Sequence, residues 1–191
     1  MASLVYGAGL RLLEGAELRV KDLDVERREI LVRDGKGRKE RIAMLPFRLV
    51  PPLRDHLTAV RAQHAADVAA GAGWVVLPDA LDHRYPNAGR EWRRQWVFPA
   101  MLPYRDGETG RFRWHPLHET VLQRAVREAV LAAGPSRRAS CHTLRQSFTT
   151  HLLGAGDNIR RIQELLGHRR EHDEDHHPRA EPRQPGRPQP P

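Results

Sequence analysis

The stretch His142-Thr-Leu-Arg145-Gln-Ser-Phe148, followed further along by Glu164-Leu-Leu-Gly167-His168, decides how this chain is read. Leu144, Phe148 and Leu152 recur at i, i+4, so the spacing predicts a helix over residues 143–153 with an inward apolar stripe. Gly154 and Gly156 stop it. Asp157 is expected to cap a second helix over residues 158–166 at its N-terminus, and Gly167 to cap it at the other end. His142 and Arg145 are three residues apart and share a face distinct from the apolar stripe. His168 follows Gly167 and so projects from a defined helix end.

Working outward, the body reads as α+β, mainly helical with a small antiparallel sheet. Residues 10–18 are helix-compatible and carry Arg11. Residues 28–33 and 39–45 are strand-like, and Asp34-Gly35-Lys36-Gly37-Arg38 between them makes a hairpin turn with Lys36 at its tip. Residues 51–70 have helical spacing. Residues 74–77 form a short apolar run ended by Pro78. Residues 86–96 are polar and aromatic. Residues 119–133 predict a helix with Val121, Leu122, Ala125, Val126, Ala129 and Val130 on one face.

The 191 residues suffice for one domain with a core, and no apolar run approaches the roughly 18 residues of a membrane span. The single cysteine, Cys141, excludes an internal disulfide framework and fits a reducing cytoplasm. The net charge of +8 points to a polyanionic partner. From Arg169 onward five arginines meet five acids, so the positive excess lies in residues 1–168. Residues 169–191 hold six of the 15 prolines and no Leu, Ile, Val, Phe, Tyr or Trp, which predicts a disordered tail. His172, His176 and His177 in that tail match no zinc spacing, so no metal site is expected there.

Arg11, Lys36, His142, Arg145 and His168 are individually unremarkable and together chemically coherent. Two guanidinium groups clamp the non-bridging oxygens of a phosphate. A lysine protonates a leaving hydroxyl, and histidines move protons or donate hydrogen bonds. No acidic metal cluster is evident, so the implied phosphoryl transfer needs neither metal nor cofactor.

Four segments carry a resemblance. Ala8-Gly-Leu-Arg11-Leu-Leu-Glu14, Gly35-Lys36-Gly37-Arg38-Lys39-Glu40-Arg41, His142-Thr-Leu-Arg145 and Glu164-Leu-Leu-Gly167-His168 resemble, in order and spacing, the active-site motifs of tyrosine recombinases of the phage integrase family. Leu18-Arg-Val-Lys-Asp-Leu-Asp24, Leu77-Pro-Asp-Ala-Leu81, Tyr85-Pro86, Glu91-Trp92 and Trp96-Val-Phe98 resemble the integron integrases within it. The resemblance implies that Arg11 and Arg145 clamp the scissile phosphate, Lys36 is the general acid, and His142 and His168 assist. It also implies that Arg38, Lys39, Arg41, Trp92 and Trp96 contact DNA, the tryptophans by stacking on extrahelical bases. Expected partners are double-stranded recombination sites and further protomers in a synaptic tetramer, in the bacterial cytoplasm and on the nucleoid.

The family nucleophile lies nine residues past the last histidine, a position held here by His177. The three tyrosines, Tyr6, Tyr85 and Tyr104, lie far upstream. Residues 1–168 are therefore expected to form a partial catalytic domain without the family's N-terminal clamp. Residues 169–191 are expected to be a frameshifted replacement of the native C-terminus. Two functions remain open on these grounds: a strand-exchange enzyme, and a DNA-binding remnant that cannot cleave.

Overall fold

The computed structural model describes residues 1–33, 40–134 and 139–167. The hairpin tip with Lys36, Arg38 and Lys39, and the tail from His168 through His177 to the end, lie outside the described residues.

The elements run α1 (Ala2–Gly7), α2 (Leu12–Ala16), β1 (Leu23–Asp24), β2 (Glu29–Val32), β3 (Arg41–Met44), α3 (Val50–Ala69), β4 (Trp74–Val75), α4 (Asp79–Arg84), β5 (Tyr104–Arg105), β6 (Phe112–Trp114), α5 (Glu119–Ala133), α6 (Cys141–Gly154) and α7 (Ile159–Leu166). Short 3-10 turns at Val20–Asp22, Phe47–Leu49, Ala88–Arg90 and Trp92–Arg94 join them. The α+β expectation holds: helices dominate and the sheets are small.

The first sheet is antiparallel in the order β1-β2-β3, with Ile30 opposite Ala43 and Val32 opposite Arg41. Alternation along β2 turns Ile30 and Val32 inward. They meet Leu4, Leu10, Leu18, Ala43, Leu45, Leu53 and Val97 in the main core. A second cluster joins Val5 of α1 to Leu122 and Val126 of α5 and Cys141 of α6.

The second sheet, β4-β6-β5, mixes a parallel and an antiparallel pair. Residues 74–77 show in sequence only as an apolar run, because each of its strands is two or three residues long. Segment 95–97 joins the residues before the first sheet to β6 of the second: Val97 N–H donates to Leu18 O at 2.8 Å, Val20 N–H to Gln95 O at 3.0 Å, and Trp96 Nε1 to Trp114 O at 2.9 Å.

Three local expectations are corrected. The N-cap of α7 is Asn158, whose side chain accepts from Arg160 N–H at 2.9 Å, while Asp157 pairs with Arg161. Arg11 is not within a helix but stands in extended backbone at the N-cap of α2, because the chain turns through Gly9 at φ +61. On α5 only Leu122 and Val126 are buried, while Val121, Ala125 and Ala129 face out.

Candidate functional site

The site is built around Glu14. An acid three residues after an N-cap reaches back to the cap's own N–H. Here Arg11 N–H donates to Glu14 Oε2 at 2.6 Å and Arg11 Nη1 to Oε1 at 2.8 Å. Arg41 Nη2 reaches the same carboxylate at 2.6 Å, and Arg145 Nη1 lies 3.6 Å away. One part-buried carboxylate thus faces three guanidinium groups, which fixes their positions and leaves an excess of positive charge.

Arg145 rises from the first turns of α6, whose N-terminus is capped by Ser140 accepting from Thr143 N–H. It is 8% exposed. Its Nη1 donates to Gly9 O at 2.5 Å and its Nη2 to Leu166 O at 2.7 Å. Burial pushes its pKa down to about 10, with Arg11 and Arg41 acting in the same sense and Glu14 opposing. That is still well above neutrality, so the group is charged at pH 7. A guanidinium has five N–H donors, and only two are used here.

Arg41 Nη1 donates to Leu165 O at 2.9 Å. Arg41 and Arg145 therefore hold consecutive carbonyls at the C-terminus of α7, where orphan acceptors and the negative end of the helix dipole favour cations. This fixes the point from which the chain continues through Gly167, itself left-handed at φ +68.

Arg11, His142 and Arg145 line one cleft of about 1970 Å³, bounded by α2, the Val20–Asp22 turn, β2, α5 and the start of α6. Its basic lining also includes Arg19, Lys21, Arg33, Arg94 and Arg127, against the carboxylates Glu14, Glu17 and Asp22. His142 is exposed there, and Arg11 keeps 39% of its side chain open.

Arg41 and Trp92 stand elsewhere. Arg41, expected on DNA, is turned inward on Glu14 and Leu165. The Trp92 ring lies 5.8 Å from that of His64 on α3 and stands outside the cleft. Trp96 lines the cleft, but Arg19 covers its ring at 3.8 Å and its Nε1 donates to Trp114 O. Glu14 was quoted in the sequence motif without a role. Its signal was the Arg-x-x-Glu spacing that suits an N-cap.

No tyrosine lines the cleft. Tyr6 Oη is 2.7 Å from His151 Nδ1, Tyr85 lies beside Arg84, and Tyr104 stacks on His115 at 4.0 Å. Among the described residues no cluster of His, Cys, Asp or Glu is arranged to hold a metal, and no helix is long and apolar enough to cross a membrane.

Comparison with known proteins gives a consistent picture. The phage integrase family profile matches residues 1–173. A protein named integrase/recombinase from Escherichia coli is 47% identical over 167 residues, covering 87% of this chain and 50% of that protein. The tyrosine recombinase XerA of Thermococcus kodakarensis is 33% identical over 165 residues, covering 86% and 44%. The chain thus spans about half the length of these relatives. Among solved structures, the crystal structure of XerA recombinase superposes with a TM-score of 0.56 at 24% identity, over 87% of this chain and 47% of that one. XerH recombinase bound to its difH substrate in a pre-cleavage complex gives a TM-score of 0.56 at 23% identity, over 87% and 38%. At these identities the structures establish the shared fold.

Proposed function

We infer function from one premise: this chain belongs to the phage integrase family, whose members include tyrosine recombinases. We propose that it is the phosphate-gripping part of a DNA recombinase of integron-integrase type, working on double-stranded recombination sites without a nucleophile of its own. The observation that carries this reading is the gathering of Arg11, Arg145 and His142 in one basic cleft, organised by Glu14.

Arg11 and Arg145 take the non-bridging oxygens of the scissile phosphate and stabilise the charge that develops there. His142 donates a hydrogen bond or carries a proton. The resemblance assigns the remaining two roles to His168 and Lys36, both outside the described residues. In the reaction assigned to such a site, a tyrosine oxygen bonds to phosphorus and the bond to the 5′-oxygen breaks. Lys36 supplies the proton to that oxygen. The product is a 3′-phosphotyrosyl link, and protomers in a synaptic assembly then exchange strands.

In this chain His177 occupies the position of the nucleophile, and none of the three tyrosines lines the cleft. On this reading the chain grips DNA and does not cleave it alone. The integron type rests on the resemblance carried by the sequence segments between Leu77 and Phe98.

The test is fluorescence anisotropy of the chain on a short labelled duplex at low salt. Binding should weaken steadily with added salt, and Arg11→Ala should lower affinity at every salt concentration while leaving the fold intact. Undetectable binding at low salt, or an Arg11→Ala affinity equal to that of the parent, overturns the reading.

A further inference from the structure

We propose that Lys21 is a second phosphodiester contact in the cleft, taking a DNA phosphate other than the one held between Arg11 and Arg145. The proposal rests on the DNA reading above. Lys21 is the central residue of the Val20–Asp22 turn and lines the cleft. Its backbone is locked on both sides. Val20 N–H donates to Gln95 O, and Asp22 N–H to Arg19 O.

The neighbouring side chains are already committed. Arg19 donates to Arg94 O at 2.6 Å and Val76 O at 3.0 Å while covering Trp96. The buried Asp22 carboxylate, next in sequence, accepts from Arg33 Nε at 2.7 Å and from Arg19 N–H at 3.3 Å. It is hydrogen-bonded to Arg33 and acts on Lys21 only as a charge through space. Arg33 is further tied to Glu40, and Arg94 to Glu91.

Lys21 thus has no hydrogen bond or ion pair among the described residues, although it is half-buried. Burial pushes its pKa down, with Arg33, Arg19 and Arg94 acting in the same sense and the nearby Asp22 opposing without reversing it. Arg127 also lines the cleft without an acid, but it is exposed and keeps its hydration. A half-buried ammonium on a rigid turn, with no hydrogen bond among the described residues and facing a large basic cleft, is placed to take an external anion.

The ligand class follows from the cleft. Arg11 and Arg145 are joined through Glu14 into one network, and Lys21 belongs to none of it. Duplex DNA carries a phosphate about every 3.4 Å along each strand, so a cleft of this size takes more than one. A lone ammonium suits one phosphate oxygen as a point charge and reads no base.

The experiment is the same anisotropy titration on the full chain, repeated over a series of salt concentrations for the parent, Lys21→Met, Lys21→Gln and Lys21→Arg. Loss of one phosphate contact should reduce the slope of log affinity against log salt by about 0.9. Lys21→Met and Lys21→Gln should both show this, and Lys21→Arg should restore the parent slope. Lys21→Met should also melt no lower than the parent, because it removes an unpaired, half-buried charge and keeps the stem. A parent slope in Lys21→Met and Lys21→Gln, with DNA binding retained, overturns the role of Lys21 alone. Absence of DNA binding by the parent overturns the DNA reading and this proposal with it.

Discussion

Glu14 carries more of the site than any other single residue. Its carboxylate holds Arg11 and Arg41 and faces Arg145, and it is itself largely withdrawn from solvent, its side chain 10% exposed. Removing one member of a buried charge cluster leaves the others uncompensated, at a cost of about 3 kcal/mol or more. Glu14→Gln keeps the shape and deletes the charge, so urea unfolding should show a loss of that order. A change below about 0.5 kcal/mol, the scale of an ordinary surface substitution, would mean that the arginines do not depend on it. Gly9 is constrained in a different way. Its φ is +61, and a Cβ there would lie 2.6 Å from the Phe148 ring. Gly9→Ala should therefore destabilise by about 1–3 kcal/mol, read by the same unfolding curves.

At this scale the sequence was informative about chemistry and silent about commitment. The types and spacing of Arg11, His142 and Arg145 were legible, and they share one cleft. That Arg41 serves α7 and Glu14, and that Lys21 makes no hydrogen bond among the described residues, depends on contacts between residues far apart in the chain. No local pattern records these.

Among the elements, α3 and the Trp92–Arg94 turn supply a pH-dependent junction. His64 of α3 packs against Trp92, and its pKa is held below the ordinary 6.5, chiefly by burial. The sign follows directly. As pH falls through 6.5 the unfolded chain takes up a proton while folded His64 stays neutral, so acidification favours unfolding. Stability should drop between about pH 7 and 5, and His64→Phe should flatten that drop. Urea midpoints at the two pH values check it; an equal drop in parent and variant would remove His64 as the cause.

Long, periodic elements were readable from sequence. The helix over residues 119–133 matches α5 from Glu119 to Ala133, and the glycine after α7 is left-handed as expected. The second sheet was not readable, because strands of two or three residues carry no period. The exposed part of the α5 stripe shows a further limit: periodicity reports which face is apolar, not whether anything covers it.

Across the whole molecule, apolar side chains line one wall of a charged cleft. Leu131 of α5 is 72% exposed and Leu13 of α2 is 52% exposed, and both border that cleft. Apolar surface of this kind drives association. Light scattering during size-exclusion chromatography should show a mass that rises with concentration, and Leu131→Glu should suppress the rise. A constant monomer mass for the parent would show that this wall is too small to pair.

The same cleft concentrates positive potential over one face of the chain, while the three tyrosines are engaged elsewhere. On the proposed reading, a grip on DNA phosphate and the means to cut it are separable here. The most direct test is a nicked suicide duplex bearing a recombination site, incubated with the chain alone and run on native and denaturing gels. The account predicts a salt-sensitive complex on the native gel and no protein–DNA adduct after denaturation. A denaturation-resistant adduct that maps to a tyrosine of this chain would contradict it.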